Sequence, residues 1–313
     1  MQKKCFGVIP PIVTPIDAHE RVDEAALRAL LRHCIRAGLQ GVFVAGTNGE
    51  AMALTQQERE RAIRIALDEC AGAVPVLCGV MDSGTGRVIE NLKRFEQLGG
   101  KLAVVTPAFY AKHAGAGEFL RHFEAVSKAA RCDIMIYNIP AYTGMSLTPE
   151  DVFEIAKMDH IAGYKDSGGN LEDFRRCAAH FKDTPFSLLQ GSSKLAAQSM
   201  LCGADGMIPS LAPLFPEIYL GIYESGKAAD AERLSYFNAY LQEAQGLLSM
   251  SKSALAANKC AVSFLGYSHK RVLLPTEPVT DKEEQAMRDK AEAIYAAMGI
   301  PSRIVKNGKE INL

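Results

Sequence analysis

One residue of this sequence has an obvious capacity for covalent chemistry: Lys165, set inside the otherwise apolar run IAGYKDS at 161–167. An ammonium placed in such surroundings loses hydration and tends to shed its proton, and the neutral amine is the nucleophile that attacks a ketone to form a Schiff base. A second reading stays open, in which Lys165 pairs with Asp166 as a structural ion pair, although neighbouring strand residues point to opposite faces. Tyr137, late in the run DIMIYNIP at 133–140, offers a phenol able to carry protons. It also fits a buried tyrosine whose hydroxyl satisfies a carbonyl. The segment Gly46-Thr47-Asn48-Gly49-Glu50 presents small side chains and many backbone N–H groups, which suits a carboxylate or phosphate and equally suits a tight strand-to-helix turn.

Residues of this kind need a scaffold, and the chain is patterned for one. Short, nearly all-apolar runs characteristic of strands buried on both faces occur at 7–15, 41–46, 74–80, 101–107, 133–140, 161–167, 186–192 and 206–211. Helical periodicity lies between them, most clearly over 55–71, where Ile63, Ala66, Leu67 and Cys70 share a face. Thr55 with Glu58 three residues on predicts a capping box, and Thr148-Pro149-Glu150-Asp151 predicts another helix start. Strand and helix alternating eight times close most simply as an α/β (β/α)8 TIM barrel. A doubly wound open sheet would require the strand order to reverse midway. The expected division is a barrel over 1–225 and a C-terminal helical extension over 226–313, with helices at 227–250, 252–267 and 281–298. No flexible linker separates them, so they are expected to pack as one unit. In such barrels the site forms at the C-terminal ends of the strands, where 46–50, 137–140 and 164–169 fall.

Composition excludes several partners. With 35 basic and 36 acidic residues the net charge is −1, so no long-range field favours nucleic acid or anionic lipid. No apolar stretch has the length of a membrane span and the first residues do not read as a signal peptide, so the expectation is a cytoplasmic protein with small-molecule partners. The eight cysteines are scattered singly and read as reduced thiols. The seven histidines are too dispersed to suggest a metal-ligand set, which argues against a metal-dependent aldolase. A phosphosugar isomerase gripping phosphate with Gly191-Ser192-Ser193 would leave Lys165 with Tyr137 unexplained.

Taken together and in this order, the GxxGE, YNxP and KD segments resemble the dihydrodipicolinate synthase and N-acetylneuraminate lyase superfamily of pyruvate-dependent class I aldolases. The resemblance runs from PPIVTP to about residue 225, and less distinctively through the extension. It implies Lys165 as the Schiff-base lysine and Tyr137 as the proton-shuttling phenol. Thr47 is implied as a catalytic hydroxyl, which together with Asn48 and Gly49 meets the carboxylate of pyruvate. Gly191 and Ile208 would line the pyruvate pocket through their backbones, with Ser167, Tyr110 and Tyr142 also at the substrate. No metal and no organic cofactor is implied, and the assembly would be a homotetramer built as a dimer of dimers.

Two positions depart from the synthases. Tyr142 stands where they carry an arginine for the carboxylate of aspartate semialdehyde, a loss of about 2–5 kcal/mol for such a substrate. Phe109 stands where they carry a relay tyrosine, with Tyr110 shifted by one residue. Both changes argue against lysine biosynthesis, and Asn48, the Pro140-Ala141-Tyr142-Thr143-Gly144 turn and the Lys165-Asp166-Ser167-Gly168-Gly169 run look closer to 4-hydroxy-2-oxoglutarate aldolases. The expectation is therefore cleavage of a 4-hydroxy-2-oxo acid to pyruvate, or another 2-oxo acid, and an aldehyde, or the reverse condensation. Dihydrodipicolinate synthase and N-acetylneuraminate lyase activities are the alternatives, and a 2-oxo acid sensor is the non-enzyme reading.

Overall fold

The computed structural model describes residues 3–305. Its eight strands are parallel and are β1 (Gly7–Val8), β2 (Val42–Val44), β3 (Val76–Gly79), β4 (Leu102–Val105), β5 (Asp133–Asn138), β6 (Ile161–Asp166), β7 (Ser187–Gln190) and β8 (Gly206–Met207). They lie in the spatial order β1-β8-β7-β6-β5-β4-β3-β2. The remaining seam closes where the chain leaving β1 meets β2: Phe43 N donates to Pro10 O at 2.9 Å and Ile12 N donates to Phe43 O at 2.8 Å. A closed ladder leaves no free edge, and the fold is the expected (β/α)8 barrel. All eight strands fall inside the apolar runs seen in the sequence, but the paired segments are shorter than those runs.

Alternation along each strand separates two cores. Ile9, Phe43, Leu77, Val104, Met135 and Leu189 fill the barrel interior, whereas Val8, Val42, Val44, Cys78, Ile134 and Ile136 face the helical layer. That layer contains α1 (Glu24–Arg36), α2 (Gln56–Glu69), α3 (Thr85–Gln97), α4 (Ala116–Ala129), the single turn α5 (Pro140–Thr143), α6 (Pro149–Ile155), α7 (Leu171–Phe181), α8 (Ala196–Leu201) and α9 (Pro216–Lys227). Thr55 caps α2 through Glu58 N, yet the reciprocal half of the expected box is not made, because the Glu58 carboxylate accepts from Val22 N at 2.6 Å instead. Thr148 and Asp151 do form a full capping box at α6.

Three further helices follow: α10 (Ala231–Gln245), α11 (Ala254–Ser263) and α12 (Asp281–Met298). Tyr295 of α12 donates to Leu214 O beside the last barrel helix and packs on Phe215 at a centroid distance of 5.2 Å. Because α9 runs to Lys227, a boundary at 225 would cut a helix. The end of the expected extension, 306–313, lies outside the described residues. Among the described residues, no helix is long and apolar enough to cross a membrane.

Candidate active site

Strands β5 and β6 pair so that Tyr137 lies opposite Lys165 and Asn138 opposite Asp166. Alternation sends the first pair into the barrel and the second outward, which divides the YN and KD motifs between two tasks. On the outer face the buried Asp166 carboxylate accepts through Oδ1 from Asn138 Nδ2 at 2.9 Å, Gly168 N at 2.9 Å and Tyr164 O–H at 3.2 Å. Asn138 Oδ1 in turn accepts from Leu147 N at 3.1 Å. This pair ties β5, β6 and the following loops together, and burial raises the Asp166 carboxyl above the usual range.

On the inner face Lys165 is 3% exposed and its amine has neither an ion-pair partner nor a hydrogen-bond acceptor among the described residues. Nζ lies 3.7 Å from the centroid of the Tyr137 ring and 4.7 Å from that of Phe43. Burial with no compensating charge holds its pKa well below that of an ordinary lysine. Burial likewise pushes the Tyr137 phenol above its ordinary value, opposed in part by the hydroxyls of Ser167 and Thr47. Ser167 follows β6 and Thr47 follows β2.

Gly191, just past β7, completes the space beside the lysine. A Cβ there would stand 2.1 Å from Ser167 Oγ and 3.0 Å from both Lys165 Cε and Asp166 O. Its N–H donates to Asp166 O at 2.7 Å, and that of Ile208 donates to Gln190 O at 2.8 Å.

The turn after β2 is ordered by its own backbone: Gly49 N donates to Gly46 O at 3.1 Å and Glu50 N to Thr47 O at 3.0 Å. The N–H groups of Thr47 and Asn48 have no acceptor among the described residues, so this turn holds two amides in reserve for an anion. Asn48 Nδ2 donates to Ser210 Oγ at 2.8 Å, fastening the turn to the loop after β8. Thr14 Oγ1 donates to Gly49 O at 2.8 Å. Glu50 adopts a left-handed φ of 55° and buries its carboxylate, which accepts from Leu273 N at 2.7 Å and forms an ion pair with the fully buried Lys259 of α11. Sequence reasoning missed Lys259; its one signal was a lysine in the otherwise apolar stretch around Cys260.

A cavity of about 210 Å³ opens at this end of the barrel, with Thr47, Met81, Thr106, Phe109, Tyr142 and Leu255 on its wall. Lys165 and Tyr137 are not on that wall. Ile139 is, and Tyr137 sits two residues earlier along the same strand direction, one step deeper on the same face. Thr47 is on the wall as well. Phe109 is half-buried against the inner core, whereas Tyr110 is 97% exposed with φ of 80°, so the structure does not bring Tyr110 to the other site residues.

The sequence and the fold both have counterparts among known proteins. The profile of the Dihydrodipicolinate synthetase family matches residues 4–294. The chain belongs to this family. Among family relatives, an uncharacterized DapA-like lyase of Halobacterium salinarum is 30% identical over 295 residues, covering 94% of each chain. A 4-hydroxy-tetrahydrodipicolinate synthase of Methanopyrus kandleri is 34% identical over 231 residues, 72% of this chain and 76% of that protein. Among solved family structures, the dihydrodipicolinate synthase of Bacteroides thetaiotaomicron superposes with a TM-score of 0.88 at 28% identity, covering 94% of this chain and 100% of that one. YagE, a prophage protein of E. coli K12 solved in complex with pyruvate, gives 0.87 at 26% identity, covering 93% and 99%. The chain is accordingly a carbon–carbon lyase of the class I aldolase type that this family comprises.

Proposed function

We propose that the protein joins a 2-oxo acid, pyruvate above all, to Lys165 as a Schiff base and cleaves a 4-hydroxy-2-oxo acid to pyruvate and an aldehyde, or runs the reverse condensation. The observation that carries this reading is a buried amine, unpaired among the described residues, whose Nζ lies 3.7 Å from the Tyr137 ring, beside a glycine that leaves room at its Cε. Held neutral, Lys165 attacks the C2 carbonyl, and loss of water gives an iminium. Tyr137 moves protons for that step. It then takes the C4 hydroxyl proton as the C3–C4 bond breaks, while the bonding electrons pass into the iminium as an enamine. The aldehyde departs, C3 is protonated, and water hydrolyses the adduct to pyruvate and the free amine. The two unengaged amides of Thr47 and Asn48 receive the substrate carboxylate, and the hydroxyls of Thr47 and Ser167 hold the phenol in line.

The chemistry is redox-neutral and needs no metal or organic cofactor. Among the described residues, no group of three potential metal ligands is assembled. Tyr142 in place of a cation disfavours aspartate semialdehyde as the partner aldehyde. We place the enzyme in the cytoplasm as a homotetramer of the dimer-of-dimers kind. Incubation with pyruvate and borohydride tests the reading: a single reduced three-carbon adduct is expected at Lys165. No adduct, or an adduct on another lysine, overturns it.

A further inference from the structure

The outer face of β6 carries a hydrogen-bond centre directly behind the reactive lysine. Tyr164 and Asp166, on either side of Lys165, point away from the barrel interior, and the Tyr164 O–H donates to Asp166 Oδ1 at 3.2 Å. The two side chains therefore clasp the stretch of backbone from which Lys165 projects. The same oxygen accepts from Asn138 Nδ2 at 2.9 Å, across on β5 and next to Tyr137. It also accepts from Gly168 N at 2.9 Å, an approach that needs a glycine, since a Cβ at 168 would stand 2.7 Å from Asn138 Nδ2. Tyr164, Asn138 and Asp166 are all buried, which shields these bonds from water.

The ladder between β5 and β6 gives this centre a task. Ile134 pairs with Ile161 but Met135 pairs with Gly163, so β6 holds one extra residue, Ala162, shortly before the reactive pair. Backbone hydrogen bonds do not tell one residue from the next, and a slip of one residue past the bulge would turn Lys165 out toward the helices and Asp166 into the barrel. The bond from the Asn138 amide to the Asp166 carboxylate is lost on such a slip, so it selects the register in which Tyr137 faces Lys165.

Resting on the Schiff-base reading above, we infer that Asp166, with Asn138 as its partner, is a positioning residue for the reaction: it locks β6 against β5 beyond the bulge and so holds the Lys165 amine against Tyr137. Asp166 acts through the lysine and touches no reacting atom. The amides of Thr47 and Asn48 follow a different strand, so the grip on the substrate carboxylate is independent of this lock. Its loss should slow the covalent step at saturation and leave half-saturation by pyruvate in place.

The test follows the initial rate of borohydride-trapped adduct at Lys165 against pyruvate concentration, with circular dichroism of each variant. Asp166→Ala should lower the saturating rate by about tenfold or more and keep half-saturation within about threefold, because a displacement of about 1 Å at a reacting group is enough to cost about a hundredfold. Asp166→Asn keeps an acceptor oxygen for the Asn138 amide and should run at least about threefold faster than Asp166→Ala. Tyr164→Phe keeps the ring, deletes one donor and should lower the saturating rate by about threefold or more. A folded Asp166→Ala with a smaller loss, a loss expressed in half-saturation, or no recovery in Asp166→Asn overturns the inference and leaves the Schiff-base mechanism standing. If Asp166→Ala does not fold, Tyr164→Phe at the unmodified rate overturns it in the same way. Absence of any adduct at Lys165 in the unmodified protein overturns both.

Discussion

Replacing Lys165 with methionine removes the proposed nucleophile, and the structure predicts that it also makes the protein more stable. The Lys165 side chain is buried with no counter-ion among the described residues, and desolvating an amine without a compensating partner costs about 1–3 kcal/mol. Methionine keeps a chain of similar length, and its sulfur packs well against the rings of Phe43 and Tyr137. At roughly 2.1 cal/mol/K per residue, unfolding 313 residues carries an entropy of about 0.66 kcal/mol/K, so each 1 kcal/mol moves Tm by about 1.5 °C. Lys165→Met should therefore raise Tm by about 1.5–5 °C at pH 7 while abolishing the borohydride-trapped adduct. The pH dependence has a definite sign. The folded amine has a depressed pKa, so below the unfolded value of about 10.4 the unfolded chain binds a proton that the folded one refuses. Wild-type stability from this group rises as pH climbs toward that value, and the advantage of the methionine variant shrinks. Thermal unfolding followed by circular dichroism between pH 7 and pH 10 measures both effects. A lower Tm at pH 7, or an advantage that grows with pH, would refute an unpaired, desolvated amine.

Tyr137→Phe keeps the ring over the lysine and deletes the phenol, so kcat should fall by roughly 10²–10⁴ with Tm little changed, as steady-state kinetics and calorimetry will show. Gly191→Ala puts a methyl group 2.1 Å from Ser167 Oγ and 3.0 Å from Lys165 Cε, so the rate of adduct formation should drop at least tenfold in a time course of trapping. Lys259→Met leaves the Glu50 carboxylate buried beside nothing but the Leu273 amide; a loss of about 3–5 kcal/mol is expected in a denaturant titration, with a raised KM for pyruvate as the turn before Glu50 loosens. Tyr142→Arg supplies the missing cation, and use of aspartate semialdehyde should improve at least tenfold relative to neutral aldehydes in a competition assay.

What could be read in advance divides along a physical line. Burial on both faces marks a parallel strand with an unbroken apolar run, and a charge inside such a run stands out, so the barrel and Lys165 were visible from local composition. The YN and KD motifs were visible too, but not their division of labour: only the register of β5 against β6 reveals that Asn138 and Asp166 bind each other while Tyr137 and Lys165 face inward. Contacts distant in the chain leave no local trace. Glu50 and Lys259 are 209 residues apart, and nothing near either names the other. The capping box expected at Thr55 failed for the same reason, since the competing donor, Val22 N, comes from the loop before α1. Tyr110 could not be judged from spacing, because one residue of shift and a positive φ turn its side chain into solvent.

The pairing of Glu50 with Lys259 and Leu273 bears on how this fold can be inherited and redesigned. Repeating β/α units invite treatment of the barrel as an interchangeable part, on which new loops are grafted and from which appended segments are trimmed. Here the turn that carries Thr47 and Asn48 ends in a carboxylate neutralised from outside the repeat, by a helix more than two hundred residues downstream. A barrel trimmed of that helix would hold a bare anion in its interior, so recombination between relatives must carry the Glu50 turn and the Lys259 helix together, as one unit of descent.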